Sequence, residues 1–360
     1  MINPFGYIGY GMVGYGGFLI MVRTLRSSWY DYRANSRGAP THRKSKRPHI
    51  VVVGSVNVDM VVKSSRIPVP GETITGGEFV CVPGGKGANQ AVAAARLGAR
   101  VSLVAKVGND VYGDQAIEGY RQEGIETRFI LRDAKVATGV ALILVDEAGE
   151  NLISVAPGAN HALVPRDILA AADLIREADV IMLQLEIPLD TVATVARLAA
   201  EGGIPVMLDP APAPEGPLAA ELLRCISFLT PNETEAQRLT GIRVTDQSTA
   251  RAAAEQLLAA GAKCVIVTLG KSGALLVDAN GSQMIEAFPV VTCDTTAAGD
   301  AFNAALACAI GSGESVEAAV VKGCAAGALA ASRLGAQTSL PTAAEVQQFM
   351  DDSPRIIQGS

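Results

Sequence analysis

The stretch that decides the fold is Val180 to Leu208, VIMLQLEIPLDTVATVARLAAEGGIPVML. Its apolar ends, Val180–Leu185 and Pro205–Leu208, are short and bounded, as buried strands are. Between them Leu189–Ala200 has helix formers and helical length. A strand, a helix and a strand in succession place the two strands parallel in one sheet covered by helices. Toward the C-terminus, strands are expected at Phe228–Thr230 and Cys264–Leu269, with a helix at Ala250–Ala260. A shorter strand pair follows near Ala274–Asp278 and Gln283–Phe288. Toward the N-terminus, His49–Ser55 (HIVVVGS) reads as a buried strand and Gly85–Leu97 as a helix with Gly98 placed for its C-cap. Arg100–Val107 is a strand, and Val111–Glu123 a helix ending at Gly124. The chain closes with helices over Gly299–Ile310, Ser315–Ser332 and Ala343–Met350. The expected class is α/β, a doubly wound, mostly parallel sheet flanked by helices.

Four segments break the alternation: Asn57–Lys63, Thr73–Val80, Thr138–Val145 and Asn151–Val155, the last two joined by the turn 146–150. They are strand-rich and polar on one face, which suits a small sheet projecting beside the main layer. The chain has 360 residues and is 49% hydrophobic, enough for a sizeable core, with one domain expected over 48–350 and a tail at 351–360. A formal charge of −6 argues against a broad nucleic-acid surface. The six cysteines form no C-x-x-C pair and mostly sit in apolar runs, which reads as reduced, buried, inert thiols in a cytoplasmic compartment. The three histidines, His42, His49 and His161, have no zinc spacing.

Residues 1–47 stand apart. Residues 1–22 carry no charge, and 23–47 are strongly basic. The segment reads as a targeting or membrane element, as a disordered extension, or as the product of a start codon set too far upstream. Its apolar part is glycine-rich and barely long enough to span a bilayer, so membrane association is not expected. Gly9–Gly14 fits G-x-G-x-x-G but lacks the preceding strand that the dinucleotide motif requires, and is taken as chance.

Two glycine-containing helix starts carry the chemistry. Asp294-Thr-Thr-Ala-Ala-Gly-Asp300 follows an apolar run and opens a helix. The small residues Ala297, Ala298 and Gly299 leave their backbone N–H groups open to an anion, which the helix dipole also favours. Asp300, beside that hole, is placed to accept the proton of an attacking hydroxyl; an acid that merely starts a helix is the simpler alternative. Pro83-Gly-Gly-Lys-Gly-Ala-Asn-Gln90 also opens a helix but fails the P-loop spacing. Lys86 and Asn89 could bond a polyol there; the alternative is a tight turn with a solvated lysine.

In combination these residues resemble the ribokinase family of carbohydrate kinases, also called the PfkB family. The match runs from about Pro48 to Phe349. It rests on Gly54–Asp59, Gly84–Ala91, Gln184-Leu185-Glu186, Thr230–Glu235, Thr268-Leu269-Gly270 and Asp294–Asn303, in that order. The resemblance implies that the small sheet is a lid, which usually pairs with that of a second subunit to make a homodimer. It implies ATP-dependent phosphorylation of D-ribose at its 5-hydroxyl with Asp300 as base. Ribose contacts would come from Asn57, Asp59, Gly84, Gly85, Lys86, Asn89 and Glu186. ATP would lie against Asn232, Thr268, Gly270, Gly273 and Gly299, with Glu235 organising Mg²⁺ through water. A K⁺ site would take oxygens from Asp294, Thr296, Ala330, Arg333, Gly335 and Ser339. Cys324 stands where relatives often carry a polar residue near the adenine. The competing functions are a kinase of the same family for another sugar or a nucleoside, and a catalytically dead sugar- or nucleotide-binding protein. The latter would be expected to lack Asp300 or the glycine before it.

Overall fold

The computed structural model describes residues 47–353; the expectations for 1–46 and 354–360 lie outside the described residues. The chain forms β1 (His49–Val53), β2 (Asn57–Lys63), β3 (Glu78–Gly84), β4 (Arg100–Gly108), β5 (Ile130–Asp133), β6 (Gly139–Val145) and β7 (Asn151–Ala156). It continues with β8 (Val180–Leu183), β9 (Val206–Leu208), β10 (Phe228–Leu229), β11 (Cys264–Thr268), β12 (Ala274–Asp278) and β13 (Gly281–Ile285).

Nine strands make the main sheet in the order β13-β12-β11-β10-β9-β8-β1-β4-β5. Pairing is parallel from β11 to β5 and antiparallel at β12 and β13. Val51, Val53, Ile181, Leu183, Leu208 and Val265 are all buried in its core. Such a continuous apolar character is required when helices cover both faces. From β1 the chain builds outward to β4 on one side and to β8 on the other, so β1 is the point where winding reverses. Ligands of open α/β sheets bind beyond the carboxyl ends of strands at such a point. Here those ends carry Ser55, Glu186, Asp209, Thr230 and Thr268.

The second sheet has the order β3-β2-β6-β7. Its β2 and β6 run parallel from Asn57↔Gly139 to Lys63↔Val145, with antiparallel partners outside. Alternation along β2 sends Asn57, Asp59, Val61 and Lys63 to the cleft wall and the intervening apolar residues to the other face.

Two expectations are corrected. The strand expected at Thr73–Val80 starts at Glu78 and runs on to Gly84. Gly76 and Gly77, at φ 87° and 138°, break the earlier part, and Val82-Pro83-Gly84 finish the pairing with Asn57–Asp59. The cysteines are all free thiols, but only Cys264 and Cys324 are buried. Cys81 is exposed on edge strand β3 and Cys293 on the segment after β13.

Candidate active site

A cleft of about 1530 Å³ lies between the small sheet and the strand ends of the main sheet. That exceeds the ~300–1,000 Å³ of a pocket for one small ligand, and so leaves room for two. Its wall includes Asn57, Asp59, Lys86, Asn89 and Glu186 from one group of expected residues, and Asn232, Glu235, Thr268, Gly270 and Gly273 from another. Asp294, Thr296, Gly335 and the run from Ala297 to Asp300 lie between them. Gly84, Gly85, Ala330, Arg333 and Ser339 are not part of the wall.

Asp300 is the third residue of the helix Ala298–Gly311 and is 5% exposed. Asn89 Nδ2 donates to its Oδ2 at 3.0 Å, and Gln90 Nε2 donates to its Oδ1 at 3.1 Å. Burial pushes its pKa up; Lys86 and the two amide donors oppose this, and Glu186 adds to it. Asn89 has spent its N–H on Asp300, and its Oδ1 is buried with no partner. A buried, unpaired acceptor on a cleft wall calls for a ligand donor such as a hydroxyl.

Lys86 begins the helix Lys86–Arg96, where its backbone N–H donates to Glu186 Oε2 at 3.0 Å. Ser55 Oγ donates to the same oxygen at 2.5 Å. Burial favours the neutral amine of Lys86, but Asp300, Asp209, Glu186 and Glu235 outweigh it and hold the charge on. Asp59 faces the same acids with no direct cation. Its pKa rises to about 6, through burial and then the charges of Glu186 and Asp300. Gly84 matters here because any Cβ would collide with the Asp59 carboxylate. Gly85, at φ 91°, turns the chain where a Cβ would stand 2.7 Å from the Asn57 backbone N.

The anion hole is narrower than the sequence suggests. Ala298 N–H donates to Thr295 O at 3.2 Å, closing a turn, so its donor is already engaged. The N–H groups of the first helical turn beyond it, at Gly299 and Asp300, lack intrahelical acceptors. Ala297, the helix cap, sits at φ 59°, the sole non-glycine residue at positive φ among those described. Such strain costs on the order of 1–3 kcal/mol and gathers at functional sites.

Asn232 and Glu235 form a reciprocal cap at the helix Glu233–Thr240: Glu235 N–H donates to Asn232 Oδ1, and Asn232 N–H to Glu235 Oε2. The pair thus caps this helix, and both residues also line the cleft. Burial raises the Glu235 pKa, against the Asn232 backbone bond and Lys86. At the K⁺ candidate, Asp294 Oδ1 accepts from Thr296 N–H at 2.9 Å and from its hydroxyl at 2.6 Å, and Oδ2 from Gly335 N–H at 2.9 Å. Burial alone would raise this carboxyl, but the three donors carry it below its ordinary value. Ser339 is fully buried, and its hydroxyl donates to Ala336 O at 2.8 Å. Cys324 lines the cleft with its thiol pushed up to about 12 by burial.

Sequence reasoning gave no role to four residues. Asp209, fully enclosed after β9, accepts from Gln90 Nε2 at 2.9 Å, and burial drives its pKa well up despite Lys86. Gln184 Nε2 donates to Gln90 Oε1 at 2.5 Å. Asn160 Nδ2 donates to Asn57 Oδ1 at 2.7 Å and so leaves the Asn57 amide N–H to face the cleft. Gln90 and Gln184 lie in the motif runs but carried no assigned role, and Asp209 is an acid at the end of an apolar run just before Pro210-Ala211-Pro212.

Among known proteins, the family model described as pfkB family carbohydrate kinase matches residues 47–343. The ribokinase of Haemophilus influenzae is 40% identical over 305 residues, 85% of this chain and 99% of that one. The deoxyribokinase of Salmonella typhi is 37% identical over 301 residues, 84% of this chain and 98% of that one. The Arabidopsis thaliana ribokinase solved in complex with ribose and ATP superposes with a TM-score of 0.80 at 33% identity, covering 86% of this chain and 100% of that one. With sequence and overall fold in agreement over nearly all the described residues, the chain belongs to the pfkB family of carbohydrate kinases.

Proposed function

We propose that this chain transfers the γ-phosphoryl group of ATP to the 5-hydroxyl of D-ribose, as a cytoplasmic enzyme that works as a homodimer. The observation that carries the reading is the pair Asp300–Asn89. A buried carboxylate is kept ionisable by amide donors, and beside it an amide oxygen lacks a donor that a sugar hydroxyl can supply. The ribokinases among its relatives, and the Arabidopsis complex with ribose and ATP, support this assignment. The deoxyribokinase keeps the substrate test open at the 2-position.

Ribose lies between the small sheet and the helix Lys86–Arg96. Asn57 donates to it, while Asp59, Glu186 and Asn89 accept from its hydroxyls. Asp300 takes the proton of the 5-hydroxyl as that oxygen attacks the γ-phosphorus, and the bond to the β-phosphate bridging oxygen breaks. The N–H groups at Gly299 and Asp300, with the helix dipole, stabilise the charge on the moving phosphoryl group. Asn232, Thr268, Gly270 and Gly273 bound the nucleotide.

The donor set fits Mg²⁺ bound mainly by phosphate and water: Glu235 is the near carboxylate, and among the described residues no three His, Cys, Asp or Glu are placed to cage a metal. When bound, Mg²⁺ neutralises phosphate charge. Asp294, Thr296, Ala330, Arg333, Gly335 and Ser339 would hold K⁺. They suit it in that Asp294 Oδ2 accepts one hydrogen bond and retains lone-pair capacity, and K⁺ would steady the loop before Ala297. The Arg333 guanidinium is turned to Glu345, at 2.7 Å, away from such an ion. The homodimer is supported by the small sheet, where Phe79, Leu142 and Leu152 are 63%, 55% and 53% exposed. Among the described residues no helix is long and apolar enough to cross a membrane. The six free thiols suit a reducing compartment.

The test is ADP release with ATP and Mg²⁺ on D-ribose, 2-deoxyribose, fructose and adenosine, in K⁺ and in Na⁺ alone. Ribose-dependent turnover stimulated by K⁺ is expected. Preference for 2-deoxyribose would replace the substrate, and indifference to the cation would remove the K⁺ site.

A further inference from the structure

We infer that Gln90 is a positioning residue for the base, an amide whose sense is locked so that it always presents N–H to Asp300. Gln90 is 1% exposed. Its Nε2 donates at once to Asp300 Oδ1, at 3.1 Å, and to Asp209 Oδ2, at 2.9 Å, while its Oε1 accepts from Gln184 Nε2 at 2.5 Å. Both amide hydrogens and the oxygen are therefore engaged. Turning the amide by half a revolution would set Oε1 against two carboxylate oxygens and Nε2 against the Gln184 donor. The two carboxylates would then face an oxygen, and they forbid the flip; Gln184, whose own Oε1 has no partner, opposes it unless it turns as well.

The lock bears on catalysis through geometry. A base in a water-free cleft needs its carboxylate fixed in plane, with a lone pair directed at the attacking hydroxyl. Asn89 holds one oxygen of Asp300 and Gln90 the other, so the carboxylate cannot rotate about its Cβ–Cγ bond without losing a charge-assisted hydrogen bond. The groups facing Asp300 are Lys86, which favours its ionised form, and Glu186, Asp209, Asp59 and Glu235, which oppose it. Against burial and these acids, Lys86 first and then the amide donors Asn89 and Gln90 favour the carboxylate. Asp209 anchors the far side of Gln90, and Gln184 fixes its sense from the end of β8. Both bond Gln90, and each acts on Asp300 through it.

The inference rests on Asp300 being the base, and the experiment separates the two. The pH dependence of kcat and the ribose KM are measured for the wild type and for Gln90→Leu, Gln184→Leu and Asp300→Asn. Circular dichroism and thermal melts on each report folding. In Gln90→Leu, kcat is expected to fall about ten- to a hundred-fold, the worth of one hydrogen bond to a charged group. The ribose KM should change by less than about threefold, since the other partners of Asp300 and the sugar-side residues are untouched. The acid limb of the kcat profile should move upward by about one pH unit, because a donor that favours the carboxylate is gone. Gln184→Leu, which makes no contact with Asp300, should shift the limb the same way by less. If Asp300→Asn is inactive while both Gln variants keep the wild-type profile, Gln90 is no more than a structural residue and the inference is overturned. If Asp300→Asn retains turnover, it is the assignment of the base that fails. Should Gln90→Leu not fold, the Gln184→Leu profile decides: an unshifted limb overturns the lock.

Discussion

Every residue of β1 from His49 to Val53 is buried, whereas every residue of β7 from Asn151 to Ala156 is exposed. The first strand lies inside a sheet covered on both faces, two strands from its β5 edge; the second is at the edge of a small sheet that shares its inner face with the cleft. The body thus buries its apolar surface by itself and can hold the base in a dry, fixed network. The small sheet leaves Phe79, Leu142 and Leu152 open on one face and spends the other on Asn57 and Asp59. Under the proposed function, this division gives proton transfer to the body, and substrate grip and self-association to the small sheet.

The sharpest way to break this division is at Asp300 and Asp59 in turn. Asp300→Asn should lower kcat by about 10²- to 10⁴-fold with little change in ribose binding, measured by steady-state kinetics and calorimetry. A comparable loss of binding would show that the body also grips the sugar. Asp59→Asn should act on KM instead, raising it roughly 10- to 100-fold for the loss of a charged acceptor. Asp59 also gives the comparison a pH signature. Its carboxyl is raised in the fold to about 6, so the folded state binds the proton more tightly than the unfolded chain. The stability from that proton is complete below the ordinary carboxyl range and is lost as pH rises through about 6. Ribose affinity should run the other way, strengthening as Asp59 ionises. Melts and ribose titrations from pH 4 to 8 should show opposed slopes, both flattened in Asp59→Asn.

Smaller effects sharpen the boundary. Leu152→Glu places a charge on the exposed outer face of β7 and should lower self-association in sedimentation while leaving the thermal midpoint within a few degrees. A large drop in midpoint would mean that the small sheet's stability is inseparable from its partner. Least of all, Ala297→Gly should relieve the positive-φ strain and stabilise by less than about 1 kcal/mol, because glycine also loosens the unfolded chain. Differential scanning calorimetry can read that shift, and a fall in kcat alongside it would tie the strain to function.

Much of this was open to a reader of the sequence. Strands such as Val180–Leu183 are short, wholly apolar and bounded, so local pattern suffices. Asp300 is reached from its own neighbours, since small residues before an acid at a helix start describe an anion site in one short run. The start of β3 was not, because Thr73–Val80 has the composition of a strand, and Gly76-Gly77 decide the outcome through backbone angles. The Gln90–Asp209, Gln184–Gln90 and Asn160–Asn57 bonds span 119, 94 and 103 residues. No window along the chain contains both ends of such a pair, so nothing local to either member names its partner. Likewise, nothing local to Ala298 says that its N–H closes a turn onto Thr295.

The two amides that hold Asp300 lie 211 and 210 residues before it. A ribosome therefore makes Asn89 and Gln90 long before it makes Asp300, the proposed base. Throughout that interval a nascent chain can complete the central strands, yet it lacks the one carboxylate proposed to take the hydroxyl proton. A product terminated before residue 300 would carry both amides without the acid they hold, so under the proposed function it would be inactive.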